Sequence, residues 1–284
     1  MFLSTILIYI CQQYKTIQAA VDMLFSSVTY DSIRQFDKEK VVVLPIGAVE
    51  QHGLHLATAT DTDLVSAIAA VVEARLSDQV LLCPTLAFGA SHHHLSFGGT
   101  ISISVNTYTL LIQDLVVSLF QNGFKRIAIL NGHGGNIIPV RQALAILSSR
   151  PEFQSVNIAL ATYWELAGEA FAGKLPMESP ALSHACEYET SLMLHLFPQK
   201  VFSDKIKRAN KAASNEYIFW EDEGPYRGVT MIKPTAMISD NGSSGEPQLA
   251  SEAKGKFLFE EAVAALEKFL VSFQSWPILK YLQP

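Results

Sequence analysis

Seven of the eight histidines fall in four short segments, EQHGLH, SHHHLSFGG, NGHGGN and SHACEYE, that are otherwise small, polar or turn-forming. Imidazole is the commonest neutral metal ligand and the usual acid or base near neutral pH, so this clustering points to metal or proton chemistry. Glu50 and His52 stand two residues apart just after an apolar β-branched run, and an extended backbone turns both to one side. Asp61 follows after a loop, where a carboxylate can bridge two cations. His133 emerges in a turn whose glycines let the backbone approach closely. Mixed imidazole and carboxylate ligation suits Zn²⁺, Mn²⁺ or Fe²⁺ rather than Mg²⁺, which prefers oxygen alone. His195 sits inside an apolar helical pattern and reads as a packed residue.

From residue 40 the chain alternates short β-branched runs with longer amphipathic stretches, which predicts βα units winding a mostly parallel sheet in a three-layer α/β/α fold. KVVVLPIGAVE, QVLLCPTLAFG, TISISV, KRIAILN and VNIALATYW read as strands. DTDLVSAIAAVVEARL reads as a helix capped by Asp61 or Thr62, and NTYTLLIQDLVVSLFQNG as one stopped by Asn122 and Gly123. IPVRQALAILSSR, ETSLMLHLF and the long ASEAKGKFLFEEAVAALEKFLVSF complete the helices, while 200–247 is rich in turn residues. Open α/β sheets place ligand sites at the carboxyl ends of strands, where Glu50, His52 and His133 are expected.

With 284 residues, 49% of them hydrophobic, the chain can bury the core of a single enzyme domain, expected over 28–284 after an apolar extension, 1–27. The formal net charge of −6 argues against a nucleic-acid or anionic-membrane partner, because phosphate binding rests on clustered Lys and Arg. Cys11, Cys83 and Cys186 are too few and too scattered for a disulfide framework or a thiolate zinc cluster, which fits a reducing, cytoplasmic setting. The opening MFLSTILIYIC is shorter than the ~20 apolar residues of a bilayer span. It also lacks the basic start of a secretory signal, its first cation being Lys15. A packing helix or an upstream start codon are the readings favoured for it.

LPIGAVEQHGLHLATATD, followed by GTISIS, NGHGGN, ATYWE, HACEYETS and SGEPQLASEAKG in that order, resembles the motif set of the creatininase family. The resemblance implies an α/β amidohydrolase with two divalent ions, Zn²⁺ or Mn²⁺ with Fe²⁺ as an option, and a homo-oligomer, often a hexamer. By the same resemblance Glu50 and His133 hold one metal, His52 the other, and Asp61 bridges them. His184 matches a histidine that binds substrate and handles protons, and Glu189 an acidic residue of the site. Trp164 matches an aromatic neighbour of the substrate, and His94 matches the histidine of H-x-x-F-P-G-T, here with Gly98 for the proline. The enzymes acting on creatinine carry a tyrosine and a metal-binding glutamate where this chain has Gly134 and Gly135, so the second metal needs another ligand, and Glu187 of HACE is the candidate. A second tryptophan expected before His184 is replaced by Pro180, which removes a stacking wall for a creatinine ring. His92 and His93 read as solvated loop residues.

The expected reaction is hydrolysis of a C–N bond in a small cyclic or linear amide by a metal-bound hydroxide, with His184 serving the leaving nitrogen. Creatinine, a formylamino-pyrimidine and a cofactor-precursor peptide are the substrates the family suggests. Two rivals use other residues. Cys186 beside His184 suggests a thiol hydrolase. The GHGGN turn suggests a non-catalytic nucleotide-binding module, although it lacks the Lys-Ser/Thr of a P-loop.

Overall fold

The computed structural model describes residues 24–212 and 232–279. Residues 1–23, which include Cys11 and most of the expected apolar extension, and 213–231 of the turn-rich stretch lie outside the described residues.

Four strands, β1 (Val41–Ile46), β2 (Val80–Leu82), β3 (Arg126–Asn131) and β4 (Asn157–Thr162), pair in parallel in the order β2-β1-β3-β4. Every residue of β1 is buried, as a strand covered on both faces requires. Its period of two sorts side chains between two cores. Val41 and Val43, with Ala128 and Leu130 of β3, meet one layer: α2 (Thr60–Arg75), α6 (Glu187–Leu196) and α7 (Glu252–Ser275). Val42, Leu44 and Ile46, with Ile127 and Ile129, meet the other: α3 (Val105–Gln121) and α4 (Ile137–Ser148). Two short helices, α1 (Tyr30–Gln35) and α5 (Tyr163–Leu166), flank this three-layer body. In α7, Leu258, Ala262, Leu266 and Leu270 recur every fourth residue and are buried, each leucine worth roughly 1.5–3 kcal/mol on leaving water.

Two sequence expectations are corrected. TISISV is no strand: Ile101 bonds Val49 and Ile103 bonds Gly89, two different partners, and Ile101 is exposed, so its alternation faces no core. Ser104 instead caps α3, its hydroxyl accepting from the Thr107 amide. The α2 N-cap is Ala59, without a side-chain bond; Asp61 lies within the first turn with its carboxylate turned elsewhere. Asn122 and Gly123 do end α3, Gly123 at φ +91°.

The chain passes from β1 through α2 to β2 on one side, then crosses to β3 on the other. The carboxyl ends of β1 and β3 therefore flank the point where strand order reverses, the crevice that open sheets use for ligands. Among the described residues no helix is long and apolar enough to cross a membrane.

Candidate metal centre and active site

Glu50, Gln51 and His52 leave β1, and His133 leaves β3 two residues beyond its end. Gly132 lets them meet the start of α2: a Cβ there would stand 2.6 Å from the Val65 Cβ and 3.0 Å from the Asp61 carbonyl oxygen. Asp61 consequently sits between two imidazoles. Its Oδ1 lies 3.1 Å from His52 Nε2 and its Oδ2 lies 3.0 Å from His133 Nδ1. His133 Nε2 is 3.4 Å from Glu50 Oε2, and Glu189 Oε1, from the first turn of α6, is 3.8 Å from His52 Nε2. All five side chains are buried.

Three buried atoms of this cluster, Glu50 Oε2, His52 Nε2 and Asp61 Oδ2, have no hydrogen-bond partner among the described residues. The short His52–Asp61 and His133–Asp61 contacts are thus misaligned for hydrogen bonds. A buried acceptor without a partner costs about 1–3 kcal/mol, more when charged, and three together in one cavity call for a shared cation. Donor atoms of Glu50, His52 and Asp61 lie within 4.8 Å of one another, as do those of His52, His184 and Glu189, and of Glu50, His93 and His133. The residues present fit a pair of ions, with Glu50 and His133 on one side, His52 and Glu189 on the other, and Asp61 between.

The electrostatics agree. Burial would lower His52, but the Asp61 carboxylate beside it prevails and raises it well above the ordinary range. Burial opposes His133 as well, yet Glu50 and Asp61 raise it to about 9. Burial pushes Glu50 up to about 7 against the pull of His133. Asp61 is held well below the carboxylate range because His52 and His133 outweigh its desolvation. The protein without metal gathers protons where cations belong.

Hydrogen bonds fix the tautomers around this cluster. His52 Nδ1 lies 3.2 Å from the Glu50 carbonyl, which can only accept, so Nδ1 carries a proton and Nε2 is the ring nitrogen that faces the cluster. His184 Nε2 lies 2.7 Å from the Gln51 carbonyl and donates to it, which leaves Nδ1 free, 3.4 Å from Glu50 Oε1. The Gln51 amide nitrogen donates to the Gly242 carbonyl and, at 2.7 Å, to His94 Nδ1. His94 therefore holds its proton on Nε2, which lies 3.3 Å from Glu50 Oε1 as a contact without hydrogen-bond alignment. Burial, then His52 and His94, hold His184 well below the usual imidazole range, so its ring is neutral.

The structure does not bring every expected residue together. Glu187 lies away from the cluster: its carboxylate accepts from the Glu178 and Ser179 amides and pairs with Lys254 Nζ at 2.6 Å. The expected ligand Glu187 is therefore not brought to the cluster and Glu189 is, because the first turn of α6 sends positions 187 and 189 in different directions. Glu189 Oε2 accepts from the Ala185 amide, and Ala185 at φ 49° reverses the chain so that His184 and Glu189 share one side. Trp164 is half-buried against the core, edge-on to Tyr163 with ring centroids 5.0 Å apart. His92 is exposed as expected, but His93 is not a solvated loop residue; it lies half-buried, its ring stacked 6.0 Å from that of His133. Cys186 is buried, and desolvation followed by the Glu189 charge pushes its thiol up to about 12, which leaves no thiolate for a nucleophile.

Sequence reasoning missed Gln51 and Tyr163. Alternation along an extended segment turns Gln51 away from Glu50 and His52, and only its bonds to Gly242 and His94 reveal its part. Tyr163 is buried, and desolvation with the Glu189 and Asp61 charges raises its hydroxyl well above the usual range, which places it in the field of the cluster. It stands next to Trp164 in the ATYWE segment already singled out, the one signal available for it.

The sequence profile described as "Creatininase: Creatinine amidohydrolase" matches residues 26–270. A mycofactocin precursor peptide peptidase of Mycolicibacterium smegmatis (strain ATCC 700084 / mc(2)155) is 34% identical over 228 residues, covering 78% of this chain and 81% of its own. A creatinine amidohydrolase of Pseudomonas putida is 27% identical over 238 residues, covering 80% and 86%. Among solved structures, a creatininase in its Mn form superposes with a TM-score of 0.71 at 24% identity, covering 88% of this chain and 98% of that one. With the profile spanning most of the chain and its motif residues gathered at one sheet end, the protein belongs to the creatininase family.

Proposed function

We propose that this protein is a metal-dependent amidohydrolase that cleaves a C–N amide bond in a small substrate. The observation that carries the reading is the convergence of Glu50, His52, Asp61, His133 and Glu189 around three buried ligand atoms without partners. A pair of divalent ions bound there supplies Lewis acidity, polarising the amide carbonyl and lowering the pKa of water; Mn²⁺ and Zn²⁺ are the ions named for solved creatininases.

The chain's own residues handle the protons. His184 is held through Nε2 by the Gln51 carbonyl, so its free Nδ1 takes a proton from the attacking water and returns it to the departing nitrogen. Neutral before reaction, the ring starts as a base. Gln51 positions the His94 ring through a hydrogen bond, and that ring stands against Glu50, its Nε2 3.3 Å from Oε1. His184→Ala is expected to keep the metals and lose roughly 10²–10⁴-fold in kcat. An unchanged kcat in that variant would remove His184 from the reaction.

A peptide-like linear amide is the second reading within the same chemistry. The curated relatives at 31–34% identity are precursor peptide peptidases, whereas the creatinine amidohydrolase stands at 27%. Pro180, where a stacking tryptophan was expected, removes a wall that a planar ring would use. Turnover of creatinine, formylamino-pyrimidine nucleotides and short peptides by metal-reconstituted protein separates the substrates. Hydrolysis that survives complete chelation would overturn the metal-dependent reading.

A further inference from the structure

The 133–136 turn has no room for a metal-binding side chain, and the space beside it is filled from another segment. A Cβ at Gly135 would stand 2.3 Å from the Ala90 carbonyl oxygen and 2.4 Å from His133 Nε2, so only glycine fits this backbone. The same Cβ would meet His93 Cε1 at 3.1 Å. The imidazole of His93 therefore occupies the position toward which a side chain from the turn would project. Its ring lies 5° from parallel with that of His133, and one of its nitrogens falls within 4.8 Å of donor atoms of both Glu50 and His133.

Neither ring nitrogen of His93 has a hydrogen-bond partner among the described residues, unlike its neighbours. His92 Nδ1 is engaged with Ser102 Oγ at 2.6 Å, and His94 Nδ1 with Gln51. Glu50 is similarly divided: His94 and His184 face its Oε1, while Oε2, the atom without a partner, faces His133.

We propose that His93 is a protein ligand of the ion held by Glu50 and His133, reaching it from the 91–97 segment. This rests on the reading of the cluster as a two-metal centre. It gives that ion Glu50, His93 and His133 with Asp61 shared, and gives the other His52 and Glu189 with Asp61 shared. The proposal also explains why three histidines stand in a row: His92 faces solvent, His93 the metal and His94 the carboxylate.

Calorimetric titration of chelator-stripped full-length protein with Zn²⁺, with ions per chain counted by elemental analysis, tests it. The wild-type protein and His92→Ala are expected to take two ions with matching affinities. His93→Ala is expected to keep one and to lose or weaken the other at least tenfold. His93→Cys loaded with Co²⁺ should show a thiolate-to-cobalt charge-transfer band absent from the wild type, a signature that residue 93 touches the ion. Two ions at wild-type affinity in His93→Ala, or a folded His93→Cys protein that binds Co²⁺ without that band, would overturn the assignment while leaving the two-metal reading intact. A wild-type protein that takes up no ion would overturn both.

Discussion

Asp61 shows how far residue types alone reach. A carboxylate after E-x-H could be a helix cap or a bridge, and the structure turns it away from the helix amides toward His52 and His133. Asp61→Ala is expected to lose both metals and at least ~10³-fold in activity, because in the proposed centre one side chain serves two ions; a variant that keeps metal and turnover would contradict this. The E-x-H pair was legible because a two-residue spacing survives any extended backbone. The choice between Glu187 and Glu189 was not, since it depends on the phase of a helix whose first turn is set by the left-handed Ala185. His93 escaped for a related reason: three adjacent histidines offer no period, and which one faces inward follows from the 3₁₀ turn over His92–Phe97.

At the scale of elements, β1 and β3 were legible because apolar β-branched runs buried on both faces leave no other solution, and the edge strand β4 was legible from its apolar run after the preceding helix. TISISV alternates equally well but has no core to face. What the sequence could not convey is how α6 and α7 are tied down. Glu187, fully buried, joins Lys254 of α7 to the Glu178 and Ser179 amides at the head of α6. Glu187→Ala leaves Lys254 Nζ with the exposed Glu178 and strips two amides of their acceptor. A loss of about 3 kcal/mol is expected, as for other broken buried pairs. Chemical denaturation measures it, and metal content in the folded variant should stay at the wild-type value. The Lys254 hydrogen bond outweighs burial and lowers the Glu187 carboxyl, so its contribution is present above the unfolded carboxylate range and lost on acidification.

For the whole molecule, the cluster makes stability depend on pH in a direction that metal reverses. In the metal-free protein His133 is raised to about 9 against an ordinary 6.5, and Glu50 to about 7 against 4.5. Both native pKa values exceed the unfolded ones, so the native state holds extra protons and loses stability as pH rises through them. Thermal melts of chelator-treated protein are expected to fall by several degrees between about pH 6.5 and pH 9. Metal-loaded protein should not follow, because ions replace those protons. A stripped protein whose Tm is flat or rises over that window would show that the cluster carries no such charge.

The most direct test of the account is anomalous diffraction from crystals of the Mn²⁺- or Zn²⁺-loaded protein. Two peaks per chain are expected, one between Glu50, His133 and Asp61 and one between His52, Asp61 and Glu189. A loaded crystal with no peak at the carboxyl ends of β1 and β3, or with density only at surface carboxylates, would contradict it.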